Sequence, residues 1–339
     1  MRFSGIVLSL GLVVSSFGCA SRVNEPQDWG RVTNSSPAVV VAEAPLPETP
    51  SAAAETQPLA LSSQPEDLKV MTFNLRTPFL LDAWNFWSLR RDLVLETIRG
   101  FDPDILGTQE CPRTSAQFLC DNLPGYEFVG VGRNDGKAGG EMCGMFYKKD
   151  RFTKVEEGHF WLSRNPTKIG SKDWGAMAPR IVSWVTLRPT SGGPAFCWFN
   201  THFDNASSKA RLESAKLLRE AIEDIATGMP VMVTGDFNVD QNTVPYKTLL
   251  GSSKTGASSL YDAFRMTNAD GRNQGTMHNF HGGKNGDRID WILTNNFFQP
   301  VTCEIDHTQR GPQFPSDHFP VKAVVRMNRV AGTPVAQIE

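Results

Sequence analysis

The chain has no excess of positive charge: among its 339 residues, 34 Lys and Arg stand against 36 Asp and Glu, a formal net charge of −2. Proteins that grip nucleic acid nonspecifically carry a basic surplus, so this balance counts against DNA or RNA as the main partner, while leaving room for a local basic patch. No Gly-x-Ser-x-Gly is present, which removes support for a serine esterase. No Cys-x-x-Cys is present either, which removes the zinc-ribbon reading. The glycine-rich residues 130–141 (GVGRNDGKAGGE) fit neither the P-loop nor the dinucleotide-binding pattern, and no helix signal follows them. The apolar stretch from Ile6 to Phe17 falls short of the roughly 20 residues that a spanning helix needs.

What that stretch does resemble is a signal peptide over residues 1–20, with Arg2 ahead of it and Gly18, Cys19, Ala20 and Ser21 behind. Small residues before a cysteine resemble the bacterial lipoprotein cleavage box. Cys19 would then carry lipid and hold an exported protein in the cell envelope; cleavage after Ala20 and free secretion is the alternative. Without Cys19 five cysteines remain, Cys111, Cys120, Cys143, Cys197 and Cys303, so at least one thiol has no partner within the chain. Export permits a disulfide, and Cys111 and Cys120 are the closest pair; Cys143 and Cys197 lie in apolar runs and read as core thiols. Residues 21–67, rich in Ala, Pro, Ser, Glu and Thr with almost no aromatics, predict a disordered linker. The folded domain is expected over residues 68–327, with a flexible tail at 328–339.

Within that domain, residues 231–240 (VMVTGDFNVD) form an apolar run that breaks into Gly235, Asp236 and Asn238. The run reads as a buried strand whose carboxyl end presents a carboxylate and a carboxamide, the position where ligands gather in layered α/β structures. The same layout recurs. A strand over residues 69–74 ends in Asn74, and one from Asp104 to Gly107 runs out into Glu110. A third, from Phe196 to Asn200, leads to His202; Asp290 lies inside the strand at 289–294, and Asp317 and His318 precede the last strand at 321–325. Helices are expected at 87–99 and, most clearly, at 207–227, where Leu212, Ala215, Leu218, Ile222 and Ile225 step by three and four.

The segments TFNLR at Thr72, LGTQE at Leu106, NTHFDN at Asn200, GDFN at Gly235, RIDWI at Arg288 and SDHFP at Ser316 resemble, in order, those of the endonuclease/exonuclease/phosphatase family. GVGRNDG at Gly130, FWLS at Phe160 and GTMHNF at Gly275 are similar to an uncharacterised bacterial branch of it. The resemblance implies the deoxyribonuclease I-like fold: a four-layered α/β sandwich of two packed β-sheets flanked by helices. It also implies magnesium-dependent phosphoester hydrolysis by in-line attack of water, with manganese as a substitute. Glu110 would be the principal metal ligand, with Asn74 and Asp317 near the ion. Asp236 and Asn238 would orient the water, His202 would donate to a phosphoryl oxygen, and Asp290 would pair with His318. Either His318 or Asp236 is the base.

Arg133, Arg180 and His278 are candidates for substrate contact. His278 and His281 form an H-x-x-H, but a zinc site needs further ligands and this segment is a glycine-rich loop. The substrate is left open among small phosphodiesters or phosphomonoesters, a phospholipid head group that would suit a tethered enzyme, and nucleic acid. The rival reading is a non-catalytic module using the same fold to bind carbohydrate or another ligand, for which eight tryptophans offer stacking surface.

Overall fold

The computed structural model describes residues 29–32, 67–251, 259–268 and 274–328. In chain order the first elements are β1 (Arg31–Val32), β2 (Asp67–Asn74), α1 (Trp87–Phe101), β3 (Ile105–Pro112), α2 (Arg113–Asn122), β4 (Tyr126–Val129) and β5 (Glu141–Lys148). Then come β6 (Phe152–Trp161), β7 (Ile181–Pro189), β8 (Phe196–His202), α3 (Ser208–Ile225), β9 (Val231–Asp236) and α4 (Val244–Leu250). The chain closes through β10 (Tyr261–Asp262), α5 (Ala263–Thr267), β11 (Asp290–Thr294), β12 (Phe298–Ile305) and β13 (Val321–Met327).

The strands form two sheets, ordered β1-β6-β7-β8-β9-β11-β10 and β12-β13-β2-β3-β5-β4. Side chains alternate between the faces of a strand, so each central strand feeds two cores. Val70 of β2 and Met232 of β9 point between the sheets into a cluster with Ile105, Trp198 and Val321. Their neighbours point outward: Met71 and Phe73 pack under α1 and α2 with Val94, Ile98 and Leu119, while Val231 and Val233 pack under α3 with Leu218 and Ile222. Strands buried on both faces read as the nearly continuous apolar runs seen in the sequence. This is the expected four-layered, deoxyribonuclease I-like arrangement.

The sheets approach each other closely near the site. A Cβ on Gly107 would sit 2.7 Å from Asn200 Oδ1, so only glycine fits there. A polar belt fills this gap: Gln109 Nε2 donates to Thr72 Oγ1 at 3.0 Å and to Asn200 Oδ1 at 2.8 Å, and Thr234 Oγ1 donates to Asn200 Oδ1 at 3.0 Å. The Gln109–Asn200 bond crosses from one sheet to the other, as does the donation from Asn200 Nδ2 to Thr108 O at 2.9 Å, while the other two tie neighbouring strands within each sheet, so the relative register of the sheets is fixed at this end.

One expectation changes, one open question is answered, and one segment lies outside the described residues. Trp29 and Gly30, within the stretch read as linker, dock on the sheet: Trp29 is 1% exposed, stacks edge-on with Phe160, and accepts from Trp184 Nε1 through its carbonyl at 3.2 Å. Its indole brings enough apolar area to hold a short segment that composition alone assigns to disorder. Cys111 and Cys120 are both free thiols, packed against one apolar cluster, and Cys143 and Cys197 are buried as expected. The signal-peptide segment, including Cys19, lies outside the described residues, as does most of the tail.

Candidate active site

Strand pairing explains why residues from both sheets meet. β8 and β9 run parallel with His202 beside Asp236, and antiparallel β11 begins where β9 ends, placing Asp290 opposite Asp236. In the other sheet β2 and β3 run parallel, and β13 runs antiparallel to β2 with Val321 opposite Thr72. The loop before β13, carrying Asp317 and His318, therefore lies at the carboxyl end of β2, beside Asn74. Ser316 secures it by donating from Oγ to Asn74 O at 2.6 Å.

Asp236 is the centre of the arrangement. It is 1% exposed; its Oδ2 accepts from Asn74 Nδ2 at 2.8 Å and lies 3.5 Å from His202 Nε2 and 3.9 Å from His318 Nε2. Its Oδ1 accepts from the backbone N–H of Asn238 at 2.9 Å. Asn238 has a left-handed φ of 51°, which asparagine tolerates better than most residues, and this turns its amide back onto His202. Its Nδ2 donates to Phe203 O at 3.1 Å and to His202 Nε2 at 2.9 Å.

Burial sets the protonation states. Desolvation and the neighbouring Asp290 charge push Asp236 up to about 7, opposed by His318. Burial disfavours a charged His318, but Asp290 and Asp236 outweigh it and hold the imidazole protonated well above its ordinary value. Burial, with Arg180 and Arg133 nearby, keeps His202 neutral. Two histidines thus take opposite charge states beside one carboxylate.

Glu110 owes its position to a bulge. Pairing of β3 with β5 slips between Thr108 and Cys111, and Glu110 takes a φ of 51°. The bulge re-aims its carboxylate toward Asn74, whose Nδ2 donates to Glu110 Oε1 at 3.2 Å. Thr77 N donates to Oε2 at 2.9 Å. Asn74 Oδ1 accepts from Arg76 N at 2.9 Å, so its amide bridges two carboxylates here, where the sequence suggested an oxygen donor to a metal. Asp317 is pushed up by burial and by Glu110, with Arg76 Nη1 at 3.6 Å from its Oδ2. Like-charged, partly compensated carboxylate oxygens are the donor set a hard divalent cation accepts, so these residues fit one.

Asp236, Asp290 and His318 also bring ligand atoms within 4.8 Å of one another. In that group Asp290 already engages His318 Nδ1 at 2.9 Å, so a cation there would have to reach the other ring nitrogen. His278 and His281 belong to no metal-capable group among the described residues.

Arg133 and Arg180 line one pocket with Glu110, Glu141, Met142, Cys143, Ile181 and His202. His278 is outside that lining: its ring stacks on Phe319 at 3.9 Å, and its backbone N–H donates to Asp317 O at 2.9 Å. The sequence reading missed two arginines. Arg76 ties Asp317 to Asp82, and Arg90, 0% exposed, donates to four carbonyls, those of Leu75, Arg76, Asn85 and Pro315. Position on a helix gave Arg90 no signal, since an arginine there ordinarily faces solvent.

Known proteins resemble this chain in sequence and in fold. The sequence model of the Endonuclease/Exonuclease/phosphatase family matches residues 71–318. Nocturnin of Xenopus laevis is 26% identical over 295 residues, covering 76% of this chain and 72% of that protein. Against mouse nocturnin, at 26% identity, the match covers 69% of this chain and 56% of the relative. Among solved structures, an endonuclease/exonuclease/phosphatase from Bacteroides vulgatus superposes with a TM-score of 0.72 at 32% identity, over 78% of this chain and all of that one. The mannosyl-6-phosphatase of Bacteroides thetaiotaomicron gives 0.69 at 36% identity, over 76% and 99%.

Proposed function

The chain belongs to the endonuclease/exonuclease/phosphatase family, a family of phosphoester hydrolases, and we propose that it works as one by in-line attack of water with magnesium held at Glu110 and Asp317. The observation that carries this reading is the convergence of Asn74, His202, Asp290 and His318 on a single buried carboxylate, Asp236.

Asp236 and the adjacent Asn238 hold the attacking water, and Asp236 takes its proton. A group poised near 7 suits a general base, whereas His318, kept protonated by Asp290, has no proton-accepting capacity left. His318 instead donates to a phosphoryl oxygen, and neutral His202 supplies a further N–H. The chemistry a bound magnesium ion supplies is neutralisation of negative charge gathering on the phosphoryl oxygens, and manganese would substitute. The aligned residues favour catalysis over a non-catalytic binding module, which has no physical need to hold such a set together.

We further infer that the protein is exported and that Cys19 anchors it to a membrane, from the pattern of residues 1–20. Loss of the protein from the membrane fraction on Cys19→Ala is the expected result, and unchanged fractionation would remove the anchor. For the activity, the test is hydrolysis of chromogenic phosphomonoesters and phosphodiesters with magnesium, with chelator, and by Asp236→Ala. Turnover that survives chelation or Asp236→Ala contradicts the reading.

A further inference from the structure

We propose that the pocket beside His202 receives the terminal, doubly charged phosphate of a phosphomonoester, which makes monoesters the substrate class; the proposal rests on the hydrolase reading above. Three side chains in its lining each retain a buried nitrogen with no hydrogen-bond partner: Arg133 Nε, Arg180 Nη1 and His202 Nδ1. Arg180 and His202 are each only 6% exposed. Single unpartnered nitrogens also occur elsewhere, at Arg211 and Arg288, but here three gather in the lining of one cavity, which points to a ligand that only accepts.

Each of the three is held from its other side. Arg180 gives Nε to Asp204 Oδ2 at 3.4 Å and Nη2 to Asn205 Oδ1 at 3.1 Å, which leaves Nη1. Arg133 gives Nη1 to Glu141 Oε2 at 2.7 Å, and its Nε is buried without a partner. Asn238 Nδ2 is fixed as a donor by Phe203 O, so His202 Nε2 accepts from it and the ring proton sits on Nδ1. The cations are close enough that both arginines disfavour charge on His202, and Arg180 disfavours charge on Arg133. An anion between them relieves that repulsion.

The count of donors selects the anion. A monoester dianion presents three terminal oxygens and no donor, whereas a diester presents two and must also find space for a second substituent. Met142, Cys143 and Ile181, all buried, wall the pocket with apolar surface, which offers a second ester substituent no polar partner. Charge-assisted hydrogen bonds from arginine then reward the extra oxygen and extra charge of a monoester.

The test uses equilibrium binding of unreactive ligands to the full chain with magnesium present: inorganic phosphate against dimethyl phosphate, by calorimetry. Phosphate should bind at least ~10-fold more tightly, and Arg180→Met and Arg133→Met should each weaken it by ~10-fold or more. Equal affinity for the two ligands, or variants that bind phosphate as the wild type does, overturns the assignment. If Arg180→Met does not fold, Arg180→Lys replaces it, with the same loss expected because one ammonium cannot reach both the Asp204 side and the pocket. Rates on p-nitrophenyl phosphate and bis(p-nitrophenyl) phosphate separate the two proposals. Preferential turnover of the diester overturns the pocket assignment. No turnover of either, with selective phosphate binding intact, overturns hydrolysis and leaves the pocket assignment supported.

Discussion

His318 Nδ1 stands 2.9 Å from Asp290 Oδ2, and its other ring nitrogen stands 3.9 Å from Asp236 Oδ2. One imidazole thus connects a carboxylate that orients it to a carboxylate that faces the reaction. Asp290→Asn keeps the shape of this connection but removes the charge that holds His318 protonated. We expect kcat to fall by about 10²–10³ with little change in thermal stability, the size of effect usual for a positioned proton donor. Near-normal kcat in Asp290→Asn would mean that His318 needs no partner and does not act as a cation.

The same connection determines a pH profile. Asp236 is raised to about 7, chiefly by burial and then by Asp290, and it must be ionised to accept a proton. Below that value it is protonated and inactive, so kcat/KM should climb with pH through about 7. Asp236 and His318 face each other at 3.9 Å, so the limb belongs to the pair rather than to Asp236 alone. Asp290→Asn takes away a cause that raises Asp236 and, by releasing the His318 proton, a smaller one that lowers it, so the limb should move to lower pH by the difference. A limb that stays in place or moves upward would assign it to another group.

Much of this site was legible because its residues stand where apolar strands stop. Asp236 after Val231–Thr234, and His318 just ahead of the strand beginning at Val321, are polar residues at points where a buried run ends, and chemistry collects there. Arg180 was visible only as an arginine after a proline; its grip on Asp204 depends on a partner 24 residues away. The re-aiming of Glu110 was invisible, because a bulge is a property of the pairing with β5 and not of the residues in β3. Trp29 was hidden for the same reason: its docking place is built by Phe160 and Trp184, far along the chain.

Metal dependence divides Glu110 from Asp236. Glu110→Gln keeps a side chain that can still accept from Thr77 N but removes a formal charge from the cation's donor set. The magnesium concentration giving half-maximal rate should rise by about 10-fold or more, the scale seen when metal-site groups are perturbed. Asp236→Asn, by contrast, should lower kcat at every magnesium concentration while leaving that midpoint within about threefold. Chelation should abolish turnover in the wild type, with magnesium restoring it. Identical magnesium curves for wild type and Glu110→Gln would place the cation elsewhere.

Arg90 offers a test of how the two loops bearing Asn74 and Asp317 are kept together. Its guanidinium reaches Leu75 O at 2.6 Å, Pro315 O at 2.8 Å, Arg76 O at 2.6 Å and Asn85 O at 2.7 Å, and burial lowers its pKa to about 10 without discharging it at neutral pH. Arg90→Met conserves the apolar stem beside Trp87 but strands four carbonyls. Leaving such groups unpaired costs about 1–3 kcal/mol each before water enters, so a net loss of about 3–5 kcal/mol is expected. At roughly 2–4 °C per kcal/mol for a domain of this size, Tm should fall by about 10 °C. Because the carbonyls at stake flank Asn74 on one side and Asp317 on the other, the magnesium midpoint should rise as well, while Arg90→Lys recovers only part of both losses. A variant that melts like the wild type would show that the clamp is dispensable and that the inter-sheet bonds of Gln109 and Asn200 alone hold the two halves of the site in register.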